Sequence, residues 1–101
     1  MLNENEKKLL SKLFGQRVQA IREERKLLRM DLANRLHMQH TRVVQLEGGK
    51  IDPRMSTLLA VAEALGVTPG ILLDGMAREW RAARRAEPGS DAGKSSGGAS
   101  K

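Results

Sequence analysis

Between Arg29 and Gly49 the chain carries two apolar patterns of about eight residues each. Neither is long enough to hold a helix alone, because isolated helices under about 12–15 residues are marginal in water. Leu32, Ala33 and Leu36 gather on one face of the first pattern, Val43 and Leu46 on one face of the second. Only three or four residues around His37-Met38 separate them. Two such helices persist by packing on each other across a tight turn and on a common floor. Ala33 is small where they would cross, and Leu32, Leu36, Val43 and Leu46 supply the seam.

The flanking sequence provides that floor. From Glu4 to about Lys26, Leu10, Phe14, Val18 and Ile21 recur at spacings of four, four and three, one face of a helix. Gly48-Gly49 offers the positive φ that a helix end needs, and Asp52-Pro53 imposes an extended step, so a loop of about six residues follows the third helix. Residues 55–65 carry Met55, Leu58, Leu59, Val61, Ala62 and Leu65, with Gly66 as terminator. Thr68-Pro69 reads as an N-cap and first helical residue for a short fifth helix through Ile71, Leu72 and Leu73. Five helices in about seventy residues leave no room for a sheet. Met76 to Glu87 is expected to add a short C-terminal helix, with Met76, Trp80 and Ala83 on one side and Pro88-Gly89 as the stop. Residues 88–101 have nothing to bury and are expected to be disordered. The expected organisation is an all-α domain over residues 1–75, its two-helix motif at about 29–48, then a helix over 76–87 as a candidate dimer contact.

With 101 residues there is room for one core, and with one Phe, one Trp and no Tyr that core must be aliphatic. Eighteen Lys and Arg against 12 Asp and Glu leave a formal charge of +6, which favours polyanions. The excess sits in the flanks: residues 1–26 hold seven basic and four acidic groups, 27–76 five and five, 77–101 six and three. The absence of Cys excludes disulfides, thiolate metal sites and a Cys nucleophile. No apolar run approaches the ~18 residues of a membrane span and the start has no signal-peptide core, so a cytoplasmic protein with no membrane partner is expected. There is no Gly-rich phosphate loop, HExxH or nucleophile elbow, so no catalysis and no cofactor are expected. His37 and His40 lie three apart without a third ligand, which argues against a metal.

The motifs, taken in order, resemble the XRE or Cro/repressor-like family of helix-turn-helix DNA-binding domains over roughly residues 13–74. They are Phe14-Gly15-Gln16-Arg17-Val18 with Ile21-Arg22, Asp31-Leu32-Ala33-Asn34-Arg35-Leu36, and Val43-Val44-Gln45-Leu46-Glu47-Gly48-Gly49-Lys50. Pro53 and Thr57 through Val67 complete the pattern. The resemblance implies a compact five-helix, lambda-repressor-like fold whose third helix, about Gln39 to Glu47, enters the major groove. The residues that helix turns outward, Gln39, His40, Thr41, Arg42 and Gln45, include no acid, which suits such a groove.

Carried over to this chain, His40 and Thr41 fall where base-edge contacts are usual, and Gln45 reaches either a base or a phosphate. Gln39 is expected to cap the third helix and, with Arg29, Arg42, Lys50 and Arg54, to meet the DNA backbone. Arg22 is implied to pair with Glu47. The chain departs from the family at Leu28-Arg29, where a capping hydroxyl followed by Gln is usual, and at His37, which replaces the turn glycine. Val44, often polar in the family, either touches a thymine methyl or stays half-exposed. Arg17 and Arg35, and the cluster Arg81, Arg84 and Arg85, read first as solvated faces. Trp80 serves either as a lid on its own core or as a contact to a second subunit.

One reading head covers half a site, so a homodimer on half-sites ~34 Å apart is expected. Leu72, Leu73, Met76 and Trp80 are its candidate interface. The function implied is a sequence-specific transcriptional regulator, a repressor, acting on a palindromic operator in double-stranded DNA. The alternative is an antitoxin or other regulator of the same fold that binds a protein partner.

Overall fold

The computed structural model describes residues 2–86, which form α1 (Glu4–Glu24), α2 (Arg29–Leu36), α3 (His40–Glu47), α4 (Met55–Leu65) and α5 (Pro69–Ala86). α1 opens on a reciprocal cap. The Glu6 N–H donates to the Asn3 side chain at 2.8 Å, and the Asn3 N–H donates to the Glu6 carboxylate at 3.0 Å. At the start of α5 the Ile71 N–H donates to Thr68 Oγ1 at 3.2 Å, which makes Thr68 the cap ahead of Pro69. α2 has half a cap: Asp31 accepts from the Leu28 N–H at 2.7 Å, while Leu28 offers no acceptor in return.

The first four helices close in the same way, on a residue in the left-handed region: Lys26 (φ 60°), His37 (φ 55°), Gly49 (φ 75°) and Gly66 (φ 73°). After α3, for example, Gly49 N–H donates to Leu46 O at 3.2 Å and Lys50 N–H to Gln45 O at 2.9 Å, satisfying carbonyls the helix leaves open. His37 therefore takes the turn position that glycine would fill without a steric penalty.

Phe14, Val18 and Ile21 of α1 meet Leu32 and Ala33 of α2, Val43 and Leu46 of α3, and Val61, Ala62 and Leu65 of α4 in one aliphatic core. α1 is the floor: it packs against α3, α4 and α5, while α2 leans on α3 and α4. Gly15 lets α1 and the end of α3 approach so closely. A Cβ at that position would overlap the carbonyl oxygens of Leu46 and Glu47.

The fifth helix and the expected additional C-terminal helix are one element. α5 runs unbroken through Gly75, whose bare backbone is covered by the Arg17 side chain of α1; a Cβ there would lie 2.7 Å from Arg17 Cζ. A mid-helix glycine costs about 1 kcal/mol relative to alanine, and here tertiary packing overrides that preference. Arg17 also donates from Nη2 to Ile71 O at 3.2 Å, and Arg84 pairs with Glu6 at 3.3 Å, so α5 runs back along α1. Among the described residues no single helix is long and apolar enough to cross a membrane. The expected helix end at Glu87 and the tail over 88–101 lie outside the described residues.

Candidate nucleic-acid interface

α3 divides its eight residues between core and surface. Val43, Leu46 and Glu47 are buried, whereas His40, Thr41, Arg42, Val44 and Gln45, with Gln39 just ahead of the helix, are exposed. One face thus anchors α3 to the body and the other presents an imidazole, a hydroxyl, an amide, a guanidinium and one apolar side chain. Gln39 stands at the N-cap position but makes no side-chain cap bond; its carbonyl accepts from Arg42 and Val43 instead. Caps are normally short side chains that fold back on the first turn, and the longer glutamine does not do so here. The expected cap is therefore made by the backbone alone.

Arg42 of α3 and Arg54 ahead of α4 come together. They line a surface depression of about 420 Å³ with Ile51 to Pro53, Ser56 and Thr57. No side chain caps α4, so its first-turn amides face this region without a side-chain acceptor. Two guanidinium groups beside the positive end of an 11-residue helix outnumber the single carboxylate of Asp52 in the depression and leave a surface that favours anions. Lys50 is absent from this depression and lines a second groove, with Lys7, Lys8 and Ser11 of α1.

Behind the exposed face lies a buried ionic cluster. Arg22 Nε donates to Glu47 Oε2 at 2.6 Å and Nη2 to Oε1 at 3.2 Å, the pairing implied for these two residues. Arg22 Nη1 also donates to Leu27 O at 2.7 Å, so one side chain ties α1 to α3 and to the loop before α2. Sequence reasoning missed a third member. Arg29 Nε donates to Glu47 Oε1 at 2.8 Å. Side-chain exposure is 8% for Arg22 and 2% for Glu47 but 39% for Arg29, so two members are inside and the third opens to solvent. The departure from the family at position 29 was the one available signal, but 18 residues of separation hid the partner. Arg35, read as a solvated side chain, donates to Ala64 O at 2.8 Å in the last turn of α4.

The expected dimer contacts divide. Leu72 has 0% exposure and belongs wholly to the subunit's own core, so it has no surface to offer a second chain. Met76 packs against the same core. Trp80 is half-buried, with its indole Nε1 buried and no hydrogen-bond partner, and the Arg84 guanidinium sits 4.8 Å from its ring centroid. Leu73 is exposed, as is its near neighbour Ile71, which the sequence did not single out for this role.

Known proteins show the same arrangement. A family model described as a helix-turn-helix domain matches residues 13–74. The immunity repressor protein of Bacillus phage phi105 is 43% identical over 53 residues, which cover 52% of this chain and 37% of that protein. The chain thus matches little more than a third of that relative's length. The restriction-modification controller protein C.AhdI from Aeromonas hydrophila is 30% identical, with a TM-score of 0.58 over 62% of this chain and 94% of its own. The clp gene regulator ClgR from Corynebacterium glutamicum, at 21% identity, shares the fold with a TM-score of 0.67 over 69% of this chain and 91% of its own. Together with the short α2 and α3, their tight turn and the polar outer face of α3, the match across residues 13–74 means that this chain belongs to the helix-turn-helix domain family, in its XRE or Cro/repressor-like class of DNA-binding regulators.

Proposed function

We propose that the chain is a sequence-specific transcriptional regulator, a repressor that binds a palindromic operator in double-stranded DNA as a homodimer. The observation that carries this reading is α3 itself: a helix anchored by Val43, Leu46 and Glu47 that turns a row of acid-free, hydrogen-bonding side chains outward. His40, Thr41 and Gln45 read base edges, and the Gln45 amide can give adenine one donor and one acceptor. Gln39, Arg29, Arg42, Lys50 and Arg54 hold the DNA backbone. Support is greatest for Arg42 and Arg54, which share one depression at the start of α4. Exposed Ile71 and Leu73 on α5 are the apolar residues that pairing of two copies would cover.

Fluorescence anisotropy on DNA from upstream of the coding sequence, against a random duplex, tests the proposal. Gln45→Ala and Thr41→Ala are each expected to weaken upstream binding by ~1–3 kcal/mol and to leave random binding nearly unchanged. Arg42→Ala and Arg54→Ala are expected to weaken both duplexes alike and to lower the salt slope by about 1 each. Equal losses on both duplexes for all four variants would overturn the division of roles. An antitoxin or other protein-binding regulator gains support from the exposed Met30 and Leu59 on the mutually packed α2 and α4. The two roles are not exclusive, because an antitoxin of this fold can also bind its own operator; weak, salt-erased binding to both duplexes would favour the protein-binding reading.

A further inference from the structure

The first two turns of α1 lie ahead of the 13–74 match, yet they are built against the loop that follows α3. Gly49 is the point of contact: with φ 75°, it sits so close to α1 that a Cβ there would lie 2.8 Å from Lys12 Cα. The face of α1 turned toward α3 is set by Gly15, under the Leu46 and Glu47 carbonyls, and by Arg22, on the Glu47 carboxylate. Ser11 lies one turn before Gly15 on that face and is buried; Lys8 precedes Ser11 by three residues, and Lys12 is one turn after Lys8. Lys8 therefore continues the face that holds α3 toward the N-terminus, and Lys12 flanks that face against Gly49.

Lys8, Ser11, Gly49 and Lys50 line a common groove of about 260 Å³. Lys7, Glu4 and Asp52 line it too, with Lys7 and Glu4 paired at 3.6 Å. Counting Lys12, four lysines meet two carboxylates, an excess of two positive charges. Lys8, Lys12 and Lys50 are exposed, and among the described residues they form no ion pair.

We infer that Lys8 and Lys12, continuous with Lys50, form a phosphate-tracking strip that extends the DNA contact beyond the recognition helix onto the adjoining backbone. The inference rests on the DNA-binding reading above. It follows from charge complementarity and placement: a duplex seated on α3 and on the loop through Lys50 next meets the α1 surface that carries Lys8 and Lys12. Their contacts are to phosphates, so they add affinity without discriminating sequence.

The test is the salt dependence of binding by the full chain, measured by fluorescence anisotropy on upstream-region and random duplexes of equal length. The Lys8→Gln/Lys12→Gln variant is compared with wild type and with Arg81→Gln/Arg85→Gln, which removes the same charge from exposed positions on α5. Circular dichroism establishes that all three proteins share one fold. Each phosphate contact contributes about 0.9 to the slope of log affinity against log salt, so the lysine variant is expected to lose about 1.8 in slope on both duplexes. Over a fourfold rise in salt, wild type then loses about twelvefold more affinity than the variant does. The arginine variant is expected to keep the wild-type slope. An unchanged slope in the lysine variant, alongside DNA binding by wild type, would overturn the strip and leave the DNA-binding reading standing. An equal fall in both variants would also overturn it, by making the effect one of net charge. Failure of wild type to bind either duplex would remove the strip and the parent reading together.

Discussion

Glu47→Gln keeps the shape of the buried acceptor and removes its charge. In the native protein that carboxylate faces Arg22, whose side chain is 8% exposed, and Arg29, whose side chain is 39% exposed. Breaking a buried ion pair by neutralising one partner costs about 3–5 kcal/mol, because the remaining charge stays desolvated. Arg22 is that charge; its bond to Leu27 O supplies no counter-charge, and the Glu23 carboxylate 3.8 Å away is largely exposed, so solvent screens most of what it offers. Arg29 adds at most about 1 kcal/mol, since a partly exposed pair is screened by solvent. A loss of about 3–5 kcal/mol is a large share of the 5–15 kcal/mol that stabilises most domains, and at about 4–8 °C per kcal/mol it lowers Tm by roughly 12 °C or more.

Urea denaturation followed by far-UV circular dichroism measures the change directly, with the slope of the transition checked for constancy. The informative comparison is Arg22→Met/Glu47→Leu, which removes both buried charges and fills the space with apolar atoms. Replacements of this kind are often neutral or stabilising by about 1–4 kcal/mol, so this double variant is expected to be far more stable than Glu47→Gln. A cost below about 1 kcal/mol for Glu47→Gln, or a double variant no better than the single, would refute the argument that an uncompensated Arg22 charge is the source of the loss.

Three further outcomes are expected from the same denaturation assay. Gly15→Ala should cost about 3 kcal/mol or more, because the added methyl meets backbone carbonyls at the end of α3 that cannot rotate away; a cost under about 1 kcal/mol would contradict that packing. Gly75→Ala should be neutral or destabilising in the native protein, where it displaces Arg17, and stabilising by about 1 kcal/mol when Arg17 is already Ala; additive effects would mean that the two residues do not share the space. His37→Gly should stabilise by about 1 kcal/mol through relief of the left-handed conformation at φ 55°, and a loss of stability would show that the imidazole contributes a contact outweighing that strain.

Local chemistry made much of the architecture legible. Gly66 after Leu65 and Thr68-Pro69 at the next helix start each announce a boundary through backbone requirements confined to a few residues. The α2–α3 unit was legible because its two short patterns could be satisfied only together. The continuity of α5 was not, since Gly75 argues for a break by propensity and is explained only by Arg17, 58 positions earlier in the chain. The outward and inward faces of α3 followed from periodicity. The commitments of long side chains did not: Arg29 to Glu47, Arg35 to Ala64 and Arg84 to Glu6 all bridge helices, and helical spacing carries no information about such reach. Leu72 shows the same limit from the apolar side, because an amphipathic face does not state whether its own core or another chain will cover it.

The carboxylate shared by Arg22 and Arg29 also acts as a registry mark. Aliphatic side chains interdigitate with little memory of which neighbour is which, and a core with one aromatic residue among them offers few landmarks against sliding. A slip of one helical turn, about 5.4 Å, would exchange one set of methyl contacts for another yet carry Glu47 out of reach of both guanidinium groups. The penalty of stranding those charges thus singles out one alignment of α3 on α1. Three residues after α3 begins stands the start of that anchoring face, Val43, so the same alignment sets how far His40, Thr41 and Gln45 project, and an error there would change which side chains a partner meets first.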